Sequence, residues 1–166
     1  MTKLKDLYGI LDNLLNLHRA LYTLAVQKKD VLIKNEVDEL IAITQQEQKL
    51  IKAVGAAEAA RIEAVKGICT EKGVPLSEAS LAELIKLTTG AEEKARLTNY
   101  RNELIRIVSE LREANDLNQQ LLEQSLSFVN KSLDLITDNP ADDFIYSNPA
   151  ADAYRNPKRT FFNKKA

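Results

Sequence analysis

The chain has 166 residues, of which 45% are apolar and 28% charged, and its formal net charge is -1. This balance is typical of one soluble domain, and the near-neutral charge argues against a nucleic-acid-binding surface, which has to be basic. Because only five Gly and four Pro occur and most apolar residues are Leu, Ala, Ile and Val, the sequence predicts an all-α fold.

Segments that would direct the chain into or across a membrane are not found in the sequence. No apolar run approaches the ~18 residues that a membrane-spanning helix needs, and the N-terminal residues begin an amphipathic pattern at once. The single cysteine, Cys69, cannot form an internal disulfide, as is usual in a reducing compartment. We therefore expect a cytoplasmic protein that is not embedded in a membrane.

The first half of the chain has apolar residues at helical spacing. The pattern predicts one long helix over about 4–53, with a bend where the apolar stripe thins at 34–38. A kink near Gly55 is expected to separate it from a helix over about 56–72, since glycine weakens a helix. A short helix over about 78–88 follows.

The clearest stop signal in the chain is the Lys-Gly-Val-Pro stretch at 72–75. The last predicted helix, over about 91–137, is the most regular element. One stripe runs along this helix in alternating steps of three and four, and a second, apolar stripe lies beside it. The first stripe is Leu97, Tyr100, Leu104, Ile107, Leu111, Ala114, Asn118, Leu121, Ser125, Phe128, Ser132 and Leu135, and the second is Val108, Leu122, Leu126, Val129, Leu133 and Ile136. A helix with two stripes requires two neighbours.

The long first and last helices have similar predicted lengths, so we expect them to pair as an antiparallel hairpin with the shorter helices between them. The prediction for 1–137 is an elongated antiparallel helical hairpin or bundle of three to four helices. Its seam fits a second copy of the chain as well as it fits a hairpin, which leaves a homodimer open.

A different composition begins after the last helix, at 138–166. Three Asn-Pro pairs predict a non-helical, flexible tail, and five of the nine aromatic residues of the chain lie in it. This aromatic content exceeds what a linker needs and indicates that the tail contacts another surface.

Catalytic chemistry has no recognisable constellation in the sequence. His18 is the only histidine and lies beside Arg19 on the first predicted helix, which disfavours a histidine metal site and a Ser-His-Asp arrangement, and the scattered glycines match no phosphate-binding loop. A phosphotransfer role for His18 is disfavoured because Leu21 and Tyr22 stand where a basic and a small residue are expected. The sequence predicts a protein that is not an enzyme and needs no cofactor.

Binding is the remaining class of function. Asn118 interrupts the first apolar stripe, and two roles stay open for it: fixing the register of the hairpin or hydrogen-bonding the backbone of a bound peptide. The second stripe favours a groove for an amphipathic partner. The residues expected to bind a partner are Asn115, Asn118, Leu121, Leu122, Ser125, Phe128, Val129, Ile136, Phe144, Tyr146 and Tyr154.

Several segments together are similar to one known family. A leucine-rich stretch at 14–21 is followed by paired lysines, a Val-Asp-Glu-Leu step at 37–40 and Gln-Glu-Gln-Lys-Leu at 46–50. The last helix adds the two-asparagine segment at 115–122 and Ser-Leu-Ser-Phe at 125–128. In this order and over this length, the segments resemble the FlgN-type flagellar export chaperones.

The resemblance implies a cytoplasmic chaperone for the C-terminal segments of the hook-filament junction proteins FlgK and FlgL. It also implies that the last helix and tail bind this cargo and that the chaperone delivers it to the membrane export gate. The family's tail often carries a tyrosine followed by glycine-rich sequence, whereas this tail has Asn-Pro turns instead. This difference argues against a gate contact through Tyr146 or Tyr154. Two alternatives stay open: a structural, dimerising coiled coil, and a helical chaperone for flagellin or the cap protein.

Overall fold

The computed structural model describes residues 2–137. Within that range the chain forms α1 (Thr2–Lys34), α2 (Val37–Glu71), a 3-10 turn (Leu76–Glu78), α3 (Leu81–Leu87) and α4 (Ala91–Ile136). The all-α prediction is therefore confirmed, whereas the non-helical tail predicted over 138–166 lies outside the described residues. The chain divides into two compact units, Met1–Leu122 and Glu123–Ala166, and the packing of the helices described below belongs to the first.

The single helix predicted over 4–53 is wrong, because α1 ends at Lys34, within the 34–38 segment where the sequence predicts only a bend. Asn35 adopts the left-handed conformation, with a φ of 57°, which asparagine tolerates better than other residues with a side chain. The amide of Glu36 then donates to the Val31 carbonyl at 3.1 Å, and that of Asn35 donates to Leu32 at 3.4 Å. These two bonds satisfy carbonyls at the helix end and stop the helix.

The separation into two helices predicted near Gly55 is also wrong, since α2 runs without interruption from Val37 to Glu71. A glycine within a helix costs roughly 1 kcal/mol relative to alanine, but packing against a neighbouring helix overrides such a local preference. Gly55 therefore lies inside a helix rather than between two.

The connection of two residues, Asn35 and Glu36, brings α2 back along α1 in the opposite direction. Lys3 pairs with Glu71 at one end of this hairpin, and Lys28 Nζ lies 2.9 Å from Glu47 Oε2 near the other. The antiparallel hairpin thus consists of α1 and α2.

The first and last helices run parallel to each other, contrary to the prediction that they pair antiparallel. Tyr100 of α4 donates its hydroxyl to Asp12 Oδ1 at 2.7 Å, and Asn118 donates Nδ2 to the Ala25 carbonyl at 2.8 Å. From the first contact to the second, the residue number increases along both helices, which means that the two helices run parallel. The physical reason is the break at Asn35, which makes α4 the third long segment in an up-down-up order.

The turn between α2 and α3 follows the predicted stop signal. Gly73 has a φ of 74°, and the Val74 amide donates to the Cys69 carbonyl at 3.0 Å. Ser80 then caps α3, because its Oγ accepts a hydrogen bond from the Glu83 amide at 3.1 Å. Both devices place α3 against the end of the hairpin.

The main hydrophobic core lies where α3 meets the three long helices. Its buried residues are Leu7, Tyr8, Leu11, Leu15, Val65, Ile68, Cys69, Leu81, Leu84, Leu97, Tyr100 and Ile107. The guanidinium of Arg96 lies 4.0 Å from the Tyr8 ring centroid, and the Tyr8 and Tyr100 rings stack at 5.8 Å. Burial raises the pKa of both phenols, so they stay neutral.

The left-handed conformation at the hairpin turn yields a stability prediction. Asn35→Ala should lower the free energy of unfolding by about 1 kcal/mol, because alanine is strained at this φ, whereas Asn35→Gly should change it by less than about 0.5 kcal/mol. Urea denaturation of the two variants measures the difference. Equal stability of the two variants would contradict this account of the break.

Candidate helix-binding groove

Both other long helices of the first unit pack on α1. Besides the contacts given above, Arg19 Nη2 of α1 lies 3.4 Å from Glu103 Oε2 of α4. Polar contacts therefore link α1 to α2 at two levels and to α4 at three. This arrangement places α2 and α4 on either side of α1, and two concavities lie between them at successive levels.

The first concavity has a volume of about 450 Å³ and is mainly apolar. Its apolar lining consists of Leu14, Val54, Leu81, Leu104, Ile105 and Val108. Ile105 is 54% exposed, and its neighbour Leu104 is half-buried. An apolar wall of this kind, open to solvent, is typical of a surface that another apolar segment covers.

Charged groups at the rim of this concavity leave a net positive charge. The Arg61 guanidinium binds Glu58, with Nε 3.0 Å from a carboxylate oxygen, and this hydrogen bond holds the pKa of Glu58 below its ordinary value. Arg101 lines the same concavity and is in none of the ion pairs among residues 2–137. His18 donates Nδ1–H to the Leu14 carbonyl at 2.7 Å, because a carbonyl oxygen can only accept. Arg101 is therefore the uncompensated cation of the rim.

The second concavity, of about 330 Å³, lies at the level of the Lys28–Glu47 ion pair. Its other lining residues are Leu21, Ile51, Leu111, Asn115, Asn118, Gln119 and Leu122. The lining thus combines apolar side chains with the ion pair and three side-chain amides. Since α1, α2 and α4 line both concavities, with Leu81 of α3 added at the first, we call them together the α2–α4 groove.

Asn118 is 4% exposed and lies in the α1–α4 interface. Its hydrogen bond to the Ala25 carbonyl crosses from one helix to the other, while its Oδ1 has no hydrogen-bond partner among residues 2–137. A buried amide of this kind fixes the relative register of two helices at some cost in stability. The hydrogen bond to Ala25 supports the register role, and binding of a peptide backbone by Asn118 stays a prediction.

The sequence-predicted site residues fall into three groups. Asn115, Asn118 and Leu122 line the groove. Leu121 is half-buried and is not among the lining residues. In the second compact unit, described by itself, Ser125 is half-buried and Phe128, Val129 and Ile136 are exposed. The tail residues Phe144, Tyr146 and Tyr154 lie outside the described residues.

Sequence reasoning missed the α2 wall of the groove, formed by Ile51, Val54 and the Glu58–Arg61 pair. The prediction of one helix over 4–53 leaves no place for residues 37–53 to fold back along α1 and form a separate wall. The signal that would have found the wall is Asn35 at the thinning of the apolar stripe, since asparagine is a known helix-ending residue.

The described part of the chain contains neither a metal-binding cluster nor a membrane-spanning helix. Among residues 2–137 no cluster of three or more His, Cys, Asp or Glu side chains is placed to hold a metal ion. None of the helices within that range has both the length and the apolar character required to cross a membrane.

Comparison with known proteins identifies the family. The family model described as FlgN protein matches residues 1–152. The chain belongs to the FlgN family. FlgN proteins are flagellar export chaperones, so the resemblance noted in the sequence is confirmed.

One relative of this FlgN chain is YvyG of Bacillus subtilis (strain 168), an uncharacterised protein. The two are 29% identical over 151 residues, which cover 90% of this chain and 91% of the relative. No solved structure matches the chain. The likeness therefore extends over nearly the whole of both sequences.

The Glu58–Arg61 pair predicts a pH dependence of stability. Because the pKa of Glu58 is lowered from 4.5 in the folded protein, the pair stabilises fully above that value and the contribution is lost as pH falls through the lowered pKa. Glu58→Gln should lower the free energy of unfolding by less than about 1 kcal/mol near neutral pH, since the carboxylate is partly exposed. Urea denaturation near neutral pH and near pH ~3 should show the difference from wild type shrinking in acid. Glu63→Gln is the control, and a difference that grows in acid would contradict the sign.

The interface amide yields a second prediction. Asn118→Leu should keep or raise the free energy of unfolding, because leucine removes the unpaired Oδ1 and fills a similar volume. Asn118→Asp should lower it by about 2 kcal/mol or more, because a carboxylate would be buried without a cation. Chemical denaturation compares the two variants. A loss with leucine as large as that with aspartate would show that the register account is wrong.

Proposed function

We propose that this FlgN-family chain is a cytoplasmic chaperone that binds the C-terminal segments of FlgK and FlgL and holds them unassembled before export. The observation that supports this proposal is the apolar face at the end of α4, where Phe128 is 72% exposed. Leu126, Val129, Leu133 and Ile136 are exposed in the same segment. Soluble proteins seldom leave so many large apolar side chains of one helix uncovered without a binding role.

The spacing of these side chains suits an amphipathic partner. Leu122, Leu126, Val129, Leu133 and Ile136 follow one another in steps of four and three, which is the pattern that a second helix can pack against. A cargo segment that is disordered alone would fold on binding, and its ordering cost of roughly 2–5 kcal/mol keeps the complex releasable. Release is what an export chaperone requires.

The proposed cargo site comprises the α4 residues Asn115, Asn118, Leu121, Leu122, Ser125, Phe128, Val129 and Ile136. The aromatic tail residues Phe144, Tyr146 and Tyr154 complete it as a second set of apolar contacts, or contact the export gate instead. The sequence supports both uses of the tail, since it concentrates aromatic side chains there.

A second candidate function is a coiled coil that dimerises and carries no cargo. The heptad steps that continue through Leu133 to Ile136 favour it, because the same stripe can pack against its own copy. The two functions differ in what covers the stripe, which is cargo in one case and a second copy in the other.

The exposed face of α4 yields a binding prediction. Phe128→Asp should leave the free energy of unfolding unchanged within about 0.5 kcal/mol, because the side chain is mostly in solvent. It should weaken the affinity for FlgK and FlgL C-terminal segments by about tenfold or more, since a bound complex would bury the carboxylate. Fluorescence anisotropy with labelled segments measures the affinity.

Val37→Asp is the control for Phe128→Asp, because Val37 is a similarly exposed apolar residue at the start of α2. It should bind the segments as the wild type does. If both variants bind as the wild type, the end of α4 is not the cargo surface. If Phe128→Asp instead changes a dimer into a monomer and no segment binds, the coiled-coil function is correct.

A further inference from the structure

The α2–α4 groove lies within the first compact unit. The exposed apolar residues at 126–136 are not part of its lining. Along α4 the groove extends from Arg101 to Leu122, roughly 32 Å at the rise of 1.5 Å per residue of an α-helix. A guest helix of about 20 residues has that length. The groove therefore has the dimensions of one helix position in a bundle.

The walls of the groove are apolar where a guest helix would contact them. Ile105 and Val108 of α4 and Ile51 of α2 are exposed, and Val54 and Leu104 are half-buried. On α4, Ile105, Val108, Asn115, Gln119 and Leu122 stand at heptad positions of the second stripe. In a bundle such positions contact a neighbouring helix, and the described part of the first unit supplies no helix there.

The two ends of the groove differ in charge. At the end of the groove near Leu122, Lys28 and Glu47 neutralise each other, and the other polar lining groups are amides. At the opposite end, Glu58 neutralises Arg61, and Arg101 has no carboxylate partner among residues 2–137. A helix carries partial negative charge at its C-terminal end, to which a terminal carboxylate adds. Charge complementarity therefore favours a guest whose C-terminal end lies at Arg101.

We infer that the α2–α4 groove takes an amphipathic helix from the C-terminal segment of the cargo as the fourth long helix of the bundle. The C-terminal end of this helix lies beside Arg101, so that the guest runs antiparallel to α4. The inference rests on the proposed function, since it takes FlgK and FlgL segments as the guest. It adds a docking site, a direction of binding and the α2 wall to that function.

The test uses the full chain and labelled C-terminal segments of FlgK and FlgL. Ile105→Glu places a carboxylate in the groove, and Ile33→Glu, at 58% exposure on α1 and outside both concavities, is the matched control. Ile105→Glu should weaken binding by about tenfold or more, and the control by less than about twofold. Circular dichroism checks that both variants keep the helical content of the wild type.

Charge and direction are tested by a second pair of variants and by a spin label. Arg101→Glu should weaken binding roughly two- to fivefold and reduce its dependence on salt, whereas Lys49→Glu, on α2 outside the groove, should not. A nitroxide at the C-terminal end of the bound segment should broaden the amide NMR signals of 101–108 more than those of 115–122. The reverse pattern would overturn the direction.

The outcomes separate this inference from the proposed function. If the wild type binds neither segment, both fail. If the wild type binds and Ile105→Glu binds equally well, the groove is not the docking site, while the chaperone function stands. If Ile105→Glu changes the oligomeric state and leaves cargo affinity intact, a second copy of the chain covers the groove and the inference is overturned.

Discussion

The architecture of the helical bundle depends on the helix break at Asn35. Its left-handed φ and the hydrogen bond from Glu36 to Val31 end α1 within one residue, and only two residues separate it from α2. So short a connection forces α2 back along α1. Because α2 returns the chain to its starting end, α4 has to run parallel to α1, and the contacts of Tyr100 and Asn118 follow from that direction.

A bundle ordered in this way leaves part of its apolar surface uncovered. α1 holds α2 through the Lys28–Glu47 pair and holds α4 through the amide of Asn118, so both neighbours are fixed at nearly the same level. The space between α2 and α4 keeps Ile105 exposed. In a protein that folds alone such a surface is a liability, whereas in a FlgN-family chaperone it is the surface that a partner helix can cover.

How much the sequence predicts depends on how distinctive each local signal is. Gly73 and the cap at Ser80 end and begin helices where their residue types predict, and the heptad steps of α4 are regular enough to place that helix. At Asn35 the sequence predicts a bend rather than a helix end, because asparagine also occurs inside helices and no Gly or Pro stands at 34–38. Because the helix end at Asn35 was not predicted, the antiparallel pairing of the first and last helices was also wrong and the α2 wall of the groove was not found. For Asn118 the sequence left two roles open, because register and peptide binding need the same amide.

The central claim is that this FlgN chain recognises an amphipathic cargo segment through apolar surface. Titration calorimetry of the wild-type protein with the C-terminal segments of FlgK, FlgL and flagellin, at several temperatures, tests it most directly. The account predicts micromolar or tighter binding of the FlgK or FlgL segment with a negative heat-capacity change, which marks apolar burial. Binding of none of the three segments would contradict it and leave a helical coiled coil without cargo, and binding of flagellin alone would assign the chaperone to a different client.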